Sequence, residues 1–193
     1  MLFFLLILLI SYLIGSISFA IIFAKIFNLP DPRSTGSNNP GATNILRISG
    51  KKYAIIVLLA DMLKGFLPII ICKTAGFDLV PLGMIALAIV LGHIYPIFFK
   101  FKGGKGVATA LGVLLGLNLY LGVIVLLTWV IVALITRYSS MAAIVAVILT
   151  PFYAFVLMPS FGLLVILLIM AFIILNRHQA NIIRLIQHTE PKI

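Results

Sequence analysis

Residues 100–109, KFKGGKGVAT, bring lysines and glycines together between two long apolar runs. Glycines let backbone N–H groups approach a ligand closely, and lysines add positive charge. A helix is predicted to begin at Val107, and its first N–H groups would also face an anion. The pattern differs from the nucleotide-binding P-loop, because Phe99 stands where that loop has glycine and Gly106 stands where it has Ser or Thr. The segment therefore indicates a phosphate-binding loop, with a basic cytoplasmic turn as the alternative.

Residues 28–50 form the longest polar segment and are rich in hydroxyl and amide side chains. The first part has the Pro, Gly and Asn content of a turn-rich loop. From Ala42 onward a helix is predicted, which would place Asn44 and Arg47 on one face. Hydroxyls, amides and arginine are groups that bind oxyanions. The segment indicates a second anion-binding region, with an ordinary solvated loop as the alternative.

Residues 178–185, HQANIIRL, carry a third polar pattern. His178, Asn181 and Arg184 recur every three residues, so that on a helix they would form one polar stripe. The stripe would add a cation, an amide and a titratable imidazole to the two anion-binding regions.

Three more ionisable residues lie within predicted apolar helices. Asp61 and Lys64 are three residues apart and would be neighbours on one helix. A charge within a membrane helix costs about 2.5–3.5 kcal/mol and normally faces the bundle interior or a wet cavity. The two residues would form either a structural ion pair or a support beneath a polar site. His93 would either pack at a helix end or belong to the site.

The composition is that of an integral membrane protein. The chain has 193 residues, of which 63% are hydrophobic and 9% are charged, with a mean hydropathy of +1.29. Soluble domains carry roughly 25% charged residues. The apolar runs are long and lack period-two alternation, which predicts membrane helices rather than barrel strands. The single cysteine, Cys72, excludes an internal disulfide. His, Asp and Glu lack metal-ligand spacing, so neither a metal nor a cofactor is expected.

We expect a single all-α domain over residues 1–193, with seven transmembrane helices, the N-terminus outside and the C-terminus cytoplasmic. The predicted spans are residues 1–24, 53–72, 81–99, two short helices within 107–136 that divide near 116–120, 141–157 and 161–175. One helix over 107–136 would be about 45 Å long, well beyond a ~30 Å membrane core. The division leaves only Lys73 outside and Lys64 within the membrane among 14 Lys and Arg residues, as the positive-inside rule predicts. An undivided helix would place Arg137 and the tail outside.

The seven-helix topology would bring the three polar segments to one face of the membrane. The net charge of +10 lies in short loops, which fits anionic lipid headgroups or a small anionic substrate better than nucleic acid. No protein partner is evident. An organic-anion or phosphate transporter is the alternative function. It would need polar residues along a path across the membrane, where only Asp61 and Lys64 are found, and no internal repeat is present.

Three stretches together resemble the three motifs of the bacterial acyl-phosphate:glycerol-3-phosphate acyltransferases. They are residues 37–47 (SNNPGATNILR), residues 92–93 with 101–109 (GH and FKGGKGVAT) and residues 178–185 (HQANIIRL). The resemblance covers the full chain in motif order and number of spans. Asn38 departs from the family pattern, which has glycine there, and this affects the expected loop geometry. The His-x4-Asp motif of other acyltransferases is absent, because Phe98 and Ile183 stand five residues after His93 and His178.

The resemblance implies transfer of a fatty acyl group from acyl phosphate to the sn-1 hydroxyl of glycerol 3-phosphate. The products would be lysophosphatidic acid and phosphate, at the first step of phospholipid biosynthesis, on the cytoplasmic side of the bacterial cell (inner) membrane. The predicted catalytic residues are Ser37, Arg47, Lys105, His178 and Asn181. The predicted substrate-binding residues are Gly36, Asn39, Gly41, Thr43, Asn44, His93, Gly103, Gly104, Gly106, Thr109 and Arg184.

Each cation can be assigned a substrate. We expect Lys105 and the glycines to hold glycerol 3-phosphate, and Arg47 with Ser37 and Asn44 to hold the acyl phosphate. His178 and Asn181 would orient the hydroxyl. Because the donor is already activated, positioning two anions and stabilising the developing charge would be the main catalytic tasks. The hydroxyl proton would go to His178 or to the donor phosphate, and a covalent acyl-Ser37 is the third possibility.

Overall fold

The computed structural model describes residues 1–193 as an entirely helical chain. The α-helices are α1 (Leu2–Gly15), α2 (Phe19–Ile26), α3 (Ala42–Ser49), α4 (Lys51–Thr74), α5 (Leu79–Ile94), α6 (Val107–Leu117), α7 (Leu119–Thr136), α8 (Ser139–Leu157), α9 (Phe161–Arg177) and α10 (Gln179–Ile186). A short 3₁₀ turn, Ile97–Phe99, follows α5. The predicted all-α class is confirmed.

Long apolar helices dominate the chain, and many of their large hydrophobic side chains are exposed, as lipid contact requires. Four helical segments are long and apolar enough to cross a membrane, or six if the bent pairs α1–α2 and α9–α10 each count as one span. The remaining predicted span corresponds to α6, which has 11 residues. The protein is therefore a multi-pass membrane protein built from short and broken helices as well as long ones.

The first predicted span is not one continuous helix. The chain bends by 42° between α1 and α2, and Ser18 precedes α2 in an extended conformation. The bend leaves the Ile17 carbonyl free to accept a hydrogen bond from Lys64 Nζ at 2.6 Å. The predicted span 1–24 corresponds to this bent pair, and the bend was not predicted because apolar composition does not reveal where a helix gives up its own hydrogen bonds.

The third predicted span, 81–99, agrees with a candidate membrane span over Leu79–Phe99, but its α-helix ends before the span does. Helix α5 stops at Ile94, before Pro96, which disfavours a helical conformation in the preceding residue and has no N–H to donate. The chain then returns toward the helix end, since Gly104 N donates to His93 O at 3.2 Å. This early stop creates the space in which the glycine–lysine loop, residues 100–106, is placed.

The predicted division of residues 107–136 is confirmed. Asn118 separates α6 from α7, and its side chain accepts a hydrogen bond from Leu121 N at 3.1 Å, which caps α7. The chain reverses here, because a Cβ placed on Gly122 would lie 2.6 Å from Leu115 Cα. Residues seven apart in a continuous helix are about 10 Å apart along its axis. Helices α6 and α7 therefore form a hairpin.

Close helix contacts position the site. Helix α4 packs along α6, where a Cβ on Gly112 would meet the Met62 carbonyl, and α1 packs along α5, where Gly15 meets the Ile89 backbone. Small residues allow such close approach in membrane bundles. These contacts bring the polar residues of α4 and α5 beneath the glycine–lysine loop.

Candidate active site

The three polar segments meet around one cavity of about 210 Å³. The cavity lies between α3 with its preceding loop, the glycine–lysine loop, the start of α8 and the α9–α10 bend. The predicted site residues that line it are Ser37, Asn39, Gly41, Thr43, Asn44, Arg47, His93, Lys105, Gly106, His178 and Asn181. Residues from positions 37 to 181 therefore converge on one space, as the motif-based hypothesis requires.

The loop before α3 is organised by Asn44, whose side chain is almost fully buried. Its Oδ1 accepts a hydrogen bond from Ser37 N at 2.9 Å, while Nδ2 donates to Pro32 O at 3.0 Å and Thr35 O at 2.9 Å. Gly36 has a φ of +66°, and a Cβ there would collide with Asn44 Oδ1. Asn44 therefore shapes the loop that presents Ser37, and it also lines the cavity, where its predicted contact with substrate stays a prediction.

The glycine–lysine loop turns only part of its glycines toward the cavity. A Cβ on Gly103 would meet His93 O, and a Cβ on Gly104 would meet His93 Nε2. These two glycines are needed for close packing on α5, whereas Lys105 and Gly106 line the cavity. Gly106 has a φ of +90° and directly precedes α6, so that the first N–H groups of this helix begin at the cavity wall.

Lys105 is the most buried of the cations that line the cavity. Its ammonium group donates a hydrogen bond to Asn181 Oδ1. Burial lowers the pKa of Lys105 to about 8; Glu190 opposes this shift, and the nearby Arg184, Arg47 and Arg177 add to it. Two cations, Arg47 and Lys105, therefore line one confined space with Arg177 and Arg184 nearby, which is an arrangement suited to binding anions.

His178 is buried where α9 bends into α10 and has an assignable tautomer. Its Nδ1 lies 2.8 Å from Ile174 O, and because a carbonyl only accepts hydrogen bonds, Nδ1 carries the proton. The neutral ring then presents Nε2 as an acceptor. Burial is the main reason that the pKa of His178 falls to about 4, so the ring is neutral near pH 7. A neutral acceptor can orient a hydroxyl group.

Glu190 is a cavity residue that the sequence analysis missed. Its Oε1 accepts hydrogen bonds from Ser140 Oγ at 2.7 Å and Asn181 Nδ2 at 2.6 Å, and its Oε2 lies 2.6 Å from Arg184 Nε. These hydrogen bonds hold the pKa of Glu190 below its usual value although burial opposes them. Its only signal in the sequence was being one of four acidic residues, placed close to the polar stripe.

Five predicted substrate-binding residues do not line the cavity. They are Gly36, Gly103, Gly104, Thr109 and Arg184. Thr109 is fully buried and its carbonyl lies against Gly65 of α4, so it belongs to the α4–α6 contact. Arg184 pairs with Glu190 and faces the site through that carboxylate. These residues support the cavity from behind.

Asp61, Lys64 and His93 form a buried cluster below the glycine–lysine loop. Lys64 Nζ lies 2.7 Å from Asp61 Oδ1 and 3.0 Å from His93 Nδ1. Asp61 and His93 also line the cavity. The sequence left two alternatives for Asp61 and Lys64, a structural ion pair or a support beneath the site. In the structure the two residues form an ion pair that also contacts His93 at the cavity.

An apolar space continues from the polar cavity between α6, α7, α8 and α9. This smaller cavity, of about 40 Å³, shares Val107, Leu111, Leu126 and Trp129 with the polar one. All but one of its 14 lining residues are hydrophobic. Cationic and apolar spaces side by side fit an amphiphilic anion, with its charged group at the loops and its hydrocarbon between the helices.

Comparisons with known proteins agree with this arrangement. Residues 5–188 match a family model described as glycerol-3-phosphate acyltransferase. A glycerol-3-phosphate acyltransferase of Vibrio campbellii is 53% identical over 183 residues, which are 95% of this chain and 89% of the relative. One of Legionella pneumophila (strain Lens) is 48% identical over 193 residues, which are 100% of this chain and 70% of the relative.

Two solved structures share the fold. Both are crystal structures of PlsY (YgiH), an integral membrane glycerol 3-phosphate acyltransferase. The glycerol 3-phosphate form has a TM-score of 0.93 at 41% identity, and the lysophosphatidic acid form has a TM-score of 0.90 at 40% identity. Each comparison covers 98% of this chain and 95% of the solved chain.

Proposed function

Because this chain belongs to the glycerol-3-phosphate acyltransferase family, we propose that its cavity transfers an acyl group from acyl phosphate to the sn-1 hydroxyl of glycerol 3-phosphate. The products are lysophosphatidic acid and inorganic phosphate, and the reaction belongs to phospholipid biosynthesis. The observation that carries the proposal is the meeting of three distant polar segments at one cationic cavity with an apolar extension.

The cavity has a suitable group for each part of the two substrates. Lys105 and the N-terminus of α6 bind the phosphate of glycerol 3-phosphate, as the glycine–lysine pattern predicts. Arg47 and Ser37, on the opposite wall, bind the phosphate of the acyl donor. The acyl chain lies in the apolar space beside Leu111 and Trp129. Two PlsY structures in glycerol 3-phosphate and lysophosphatidic acid forms support this substrate and product.

The chemistry needs no covalent enzyme intermediate. The sn-1 oxygen attacks the carbonyl carbon of the acyl phosphate, the bond from that carbon to the bridging phosphate oxygen breaks, and phosphate leaves. His178 Nε2 accepts a hydrogen bond from the hydroxyl and orients it. Burial, together with the nearby Lys105 and Arg177, disfavours a second proton on the imidazole. As the oxygen attacks, the O–H turns from His178 to the departing phosphate, which takes the proton. Lys105 and Arg47 stabilise the charge that develops on phosphate.

The membrane topology follows from the convergence of the segments. Between Gly106 and His178 the chain must cross the membrane an even number of times to return to the same cavity. Helices α7, α8 and α9 supply three crossings, so α6 is the fourth despite its length. With α1–α2, α4 and α5 this gives seven segments. The distribution of positive charge supports a cavity on the cytoplasmic side of the bacterial inner membrane and an N-terminus outside.

The test is one assay on the purified, detergent-solubilised protein. Acyl phosphate and glycerol 3-phosphate should give lysophosphatidic acid and one equivalent of phosphate, whereas acyl-CoA should not replace the donor. The Lys105→Met variant should lose most of this activity. The matched control, Lys73→Met, removes a lysine whose ammonium only binds the Leu117 carbonyl and should keep it. Turnover with acyl-CoA alone, or none with acyl phosphate, would refute the proposed donor.

A further inference from the structure

The acceptor atoms around Nζ of Lys64 indicate that this lysine is protonated. Three acceptor atoms lie within 3.0 Å of Nζ: Ile17 O at 2.6 Å, Asp61 Oδ1 at 2.7 Å and His93 Nδ1 at 3.0 Å. An ammonium group has three N–H donors and no acceptor. Two hydrogen bonds, to Ile17 O and His93 Nδ1, and one ion-pair contact, with Asp61, therefore fit a charged Lys64 paired with an ionised Asp61.

The charge on Lys64 determines the tautomer of His93. Because the ammonium can only donate, Nδ1 of His93 must accept, and the ring is then neutral with its one proton on Nε2. Asp61 Oδ1 lies 3.7 Å from His93 Nδ1, beyond hydrogen-bonding distance. The carboxylate therefore acts on the ring through Lys64.

The protonated nitrogen of His93 has no partner within the protein. His93 is only 6% exposed, yet it lines the cavity, and its Nε2 lies against Gly104 of the glycine–lysine loop. Nε2 is not among the fully buried atoms that lack a partner, so it is open to the cavity, where a ligand or water can accept its hydrogen bond. The nearest available acceptor in the proposed reaction is a phosphate oxygen bound at this loop.

We propose that Asp61 and Lys64 are positioning residues that hold His93 as the Nε2–H tautomer, so that His93 donates a hydrogen bond to the substrate phosphate at the glycine–lysine loop. This inference rests on the proposed function for the identity of the phosphate, namely that of glycerol 3-phosphate. It gives the buried ion pair of α4 a role in substrate binding.

The two cavity histidines then have opposite tautomers and opposite tasks. His178 is protonated on Nδ1 by its bond to the Ile174 carbonyl and accepts at Nε2. His93 accepts at Nδ1 and donates at Nε2. One ring can receive a hydrogen bond from the hydroxyl of glycerol 3-phosphate and the other can give one to its phosphate, so the pair would orient the substrate from both ends.

The first test reads the tautomers directly and does not require turnover. The chain has three histidines, so ¹⁵N-histidine labelling gives a simple NMR spectrum in detergent, with His178→Gln and His188→Gln variants for assignment. We expect Nε2–H for His93 and Nδ1–H for His178 in the substrate-free protein at pH 7. An Nδ1–H or doubly protonated His93 would overturn the inference.

The second test separates positioning from folding. Either single change at the ion pair leaves an unpaired buried charge, so the Asp61→Asn/Lys64→Met double variant is used. We expect a mixture of His93 tautomers and a KM for glycerol 3-phosphate raised by about tenfold or more, the effect of losing one hydrogen bond to a charged group. The KM for acyl phosphate should change much less. Lys73→Met on the same helix is the control for removing a lysine.

Variants of His93 complete the test. His93→Leu should raise the same KM, whereas His93→Gln, which keeps a side-chain N–H, should retain more of the affinity. Combining His93→Leu with the double variant should add little further loss, since all three residues serve one hydrogen bond. If the wild-type protein acylates glycerol 3-phosphate and His93→Leu leaves the KM for glycerol 3-phosphate unchanged, this inference is refuted and the proposed function is not. A wild-type protein that does not acylate glycerol 3-phosphate would refute the proposed function instead.

Discussion

At the scale of single residues, Lys105 makes the clearest prediction about pH. Burial lowers its pKa from 10.5 to about 8, so the substrate-free enzyme loses this charge as the pH rises through that value. We expect kcat/KM for glycerol 3-phosphate to fall above pH 8, because this parameter reports ionisations of the free enzyme. The phosphate of the substrate is already fully ionised in that range.

The Lys105→Arg variant should be slower than wild type but should lack the fall in kcat/KM at alkaline pH, since a guanidinium keeps its charge. An alkaline limb that persists in Lys105→Arg would assign the ionisation to another group.

For His178 we expect a substitution to leave the shape of the pH profile unchanged, in contrast to Lys105→Arg. With its pKa lowered to about 4, the ring does not change charge between pH 5 and 8. We therefore expect wild type and His178→Gln to share any acid limb of kcat in this range, because that limb belongs to the phosphate of the donor. The variant should be slower throughout, since a glutamine amide orients the hydroxyl less well. Loss of the limb in a folded His178→Gln variant with unchanged KM values would identify His178 as the general base.

Asn38 stands out in the sequence because it replaces a glycine of the family pattern. The family pattern has glycine at this position, and Asn38 has a φ of +54°. This left-handed conformation suits glycine best, and asparagine is among the residues that tolerate it. The sequence therefore located the unusual loop position, while the conformation explains why the substitution is accepted.

Residue types predicted the cavity better than they predicted individual roles. Arg47, Lys105, His178 and Asn181 were recognised because cations, an imidazole and an amide recur within short motifs. Asn44 was predicted to touch substrate, but its three hydrogen bonds lie within the loop. Glu190 was missed because a single carboxylate carries no spacing pattern. Such roles depend on contacts between segments that are distant in sequence.

At the scale of elements, the breaks between helices position the polar groups of the site. The stop of α5 at Ile94 lets the glycine–lysine loop fold back onto His93, and the α1–α2 bend supplies a carbonyl to Lys64. The division at Asn118 was predictable because one helix over 107–136 would have been too long. The α1–α2 bend was not predictable, because the hydrogen bond from Lys64 to the Ile17 carbonyl joins residues of two helices that are distant in sequence.

The glycine–lysine loop provides the prediction at this scale. An added methyl group at Gly104 would displace the His93 ring, and one at Gly103 would collide with the His93 carbonyl. Both Gly103→Ala and Gly104→Ala should therefore raise the KM for glycerol 3-phosphate more than that for acyl phosphate, measured with the other substrate saturating. Gly76→Ala, in a distant loop, is the control for a glycine substitution away from the cavity, because Gly76 has open space around it but a φ of +86°, so that the change strains only the local backbone. Equal changes in the two KM values would mean that the loop has only a structural role.

At the scale of the whole molecule, the cavity and the membrane constrain each other. The cations that we propose to bind substrate phosphates are also part of the positive charge from which the positive-inside rule predicts the orientation of the chain. An apolar space between α6 and α9 opens beside those cations, so a lipid-like donor can place its phosphate and its hydrocarbon in their preferred surroundings at once. The same few basic residues in a largely apolar chain are thus expected both to orient the chain and to bind substrate.

Cysteine labelling tests the topology that this cavity requires. In a Cys72→Ala background, Ser34→Cys and Thr189→Cys should resist a membrane-impermeant thiol reagent in intact cells and react after permeabilisation, because both lie beside the cytoplasmic cavity. Ala75→Cys, in the exposed turn after α4, should react from outside without permeabilisation. The three positions also count the crossings: if α6 did not cross, Thr189 would be labelled from outside while Ser34 remained protected. Each variant must keep its acyltransferase activity for the comparison to apply. Protection of Ser34→Cys and Thr189→Cys together with labelling at Ala75→Cys would support a crossing by α6 and a cavity on the inside, whereas labelling of either Ser34→Cys or Thr189→Cys in intact cells would contradict the shared site.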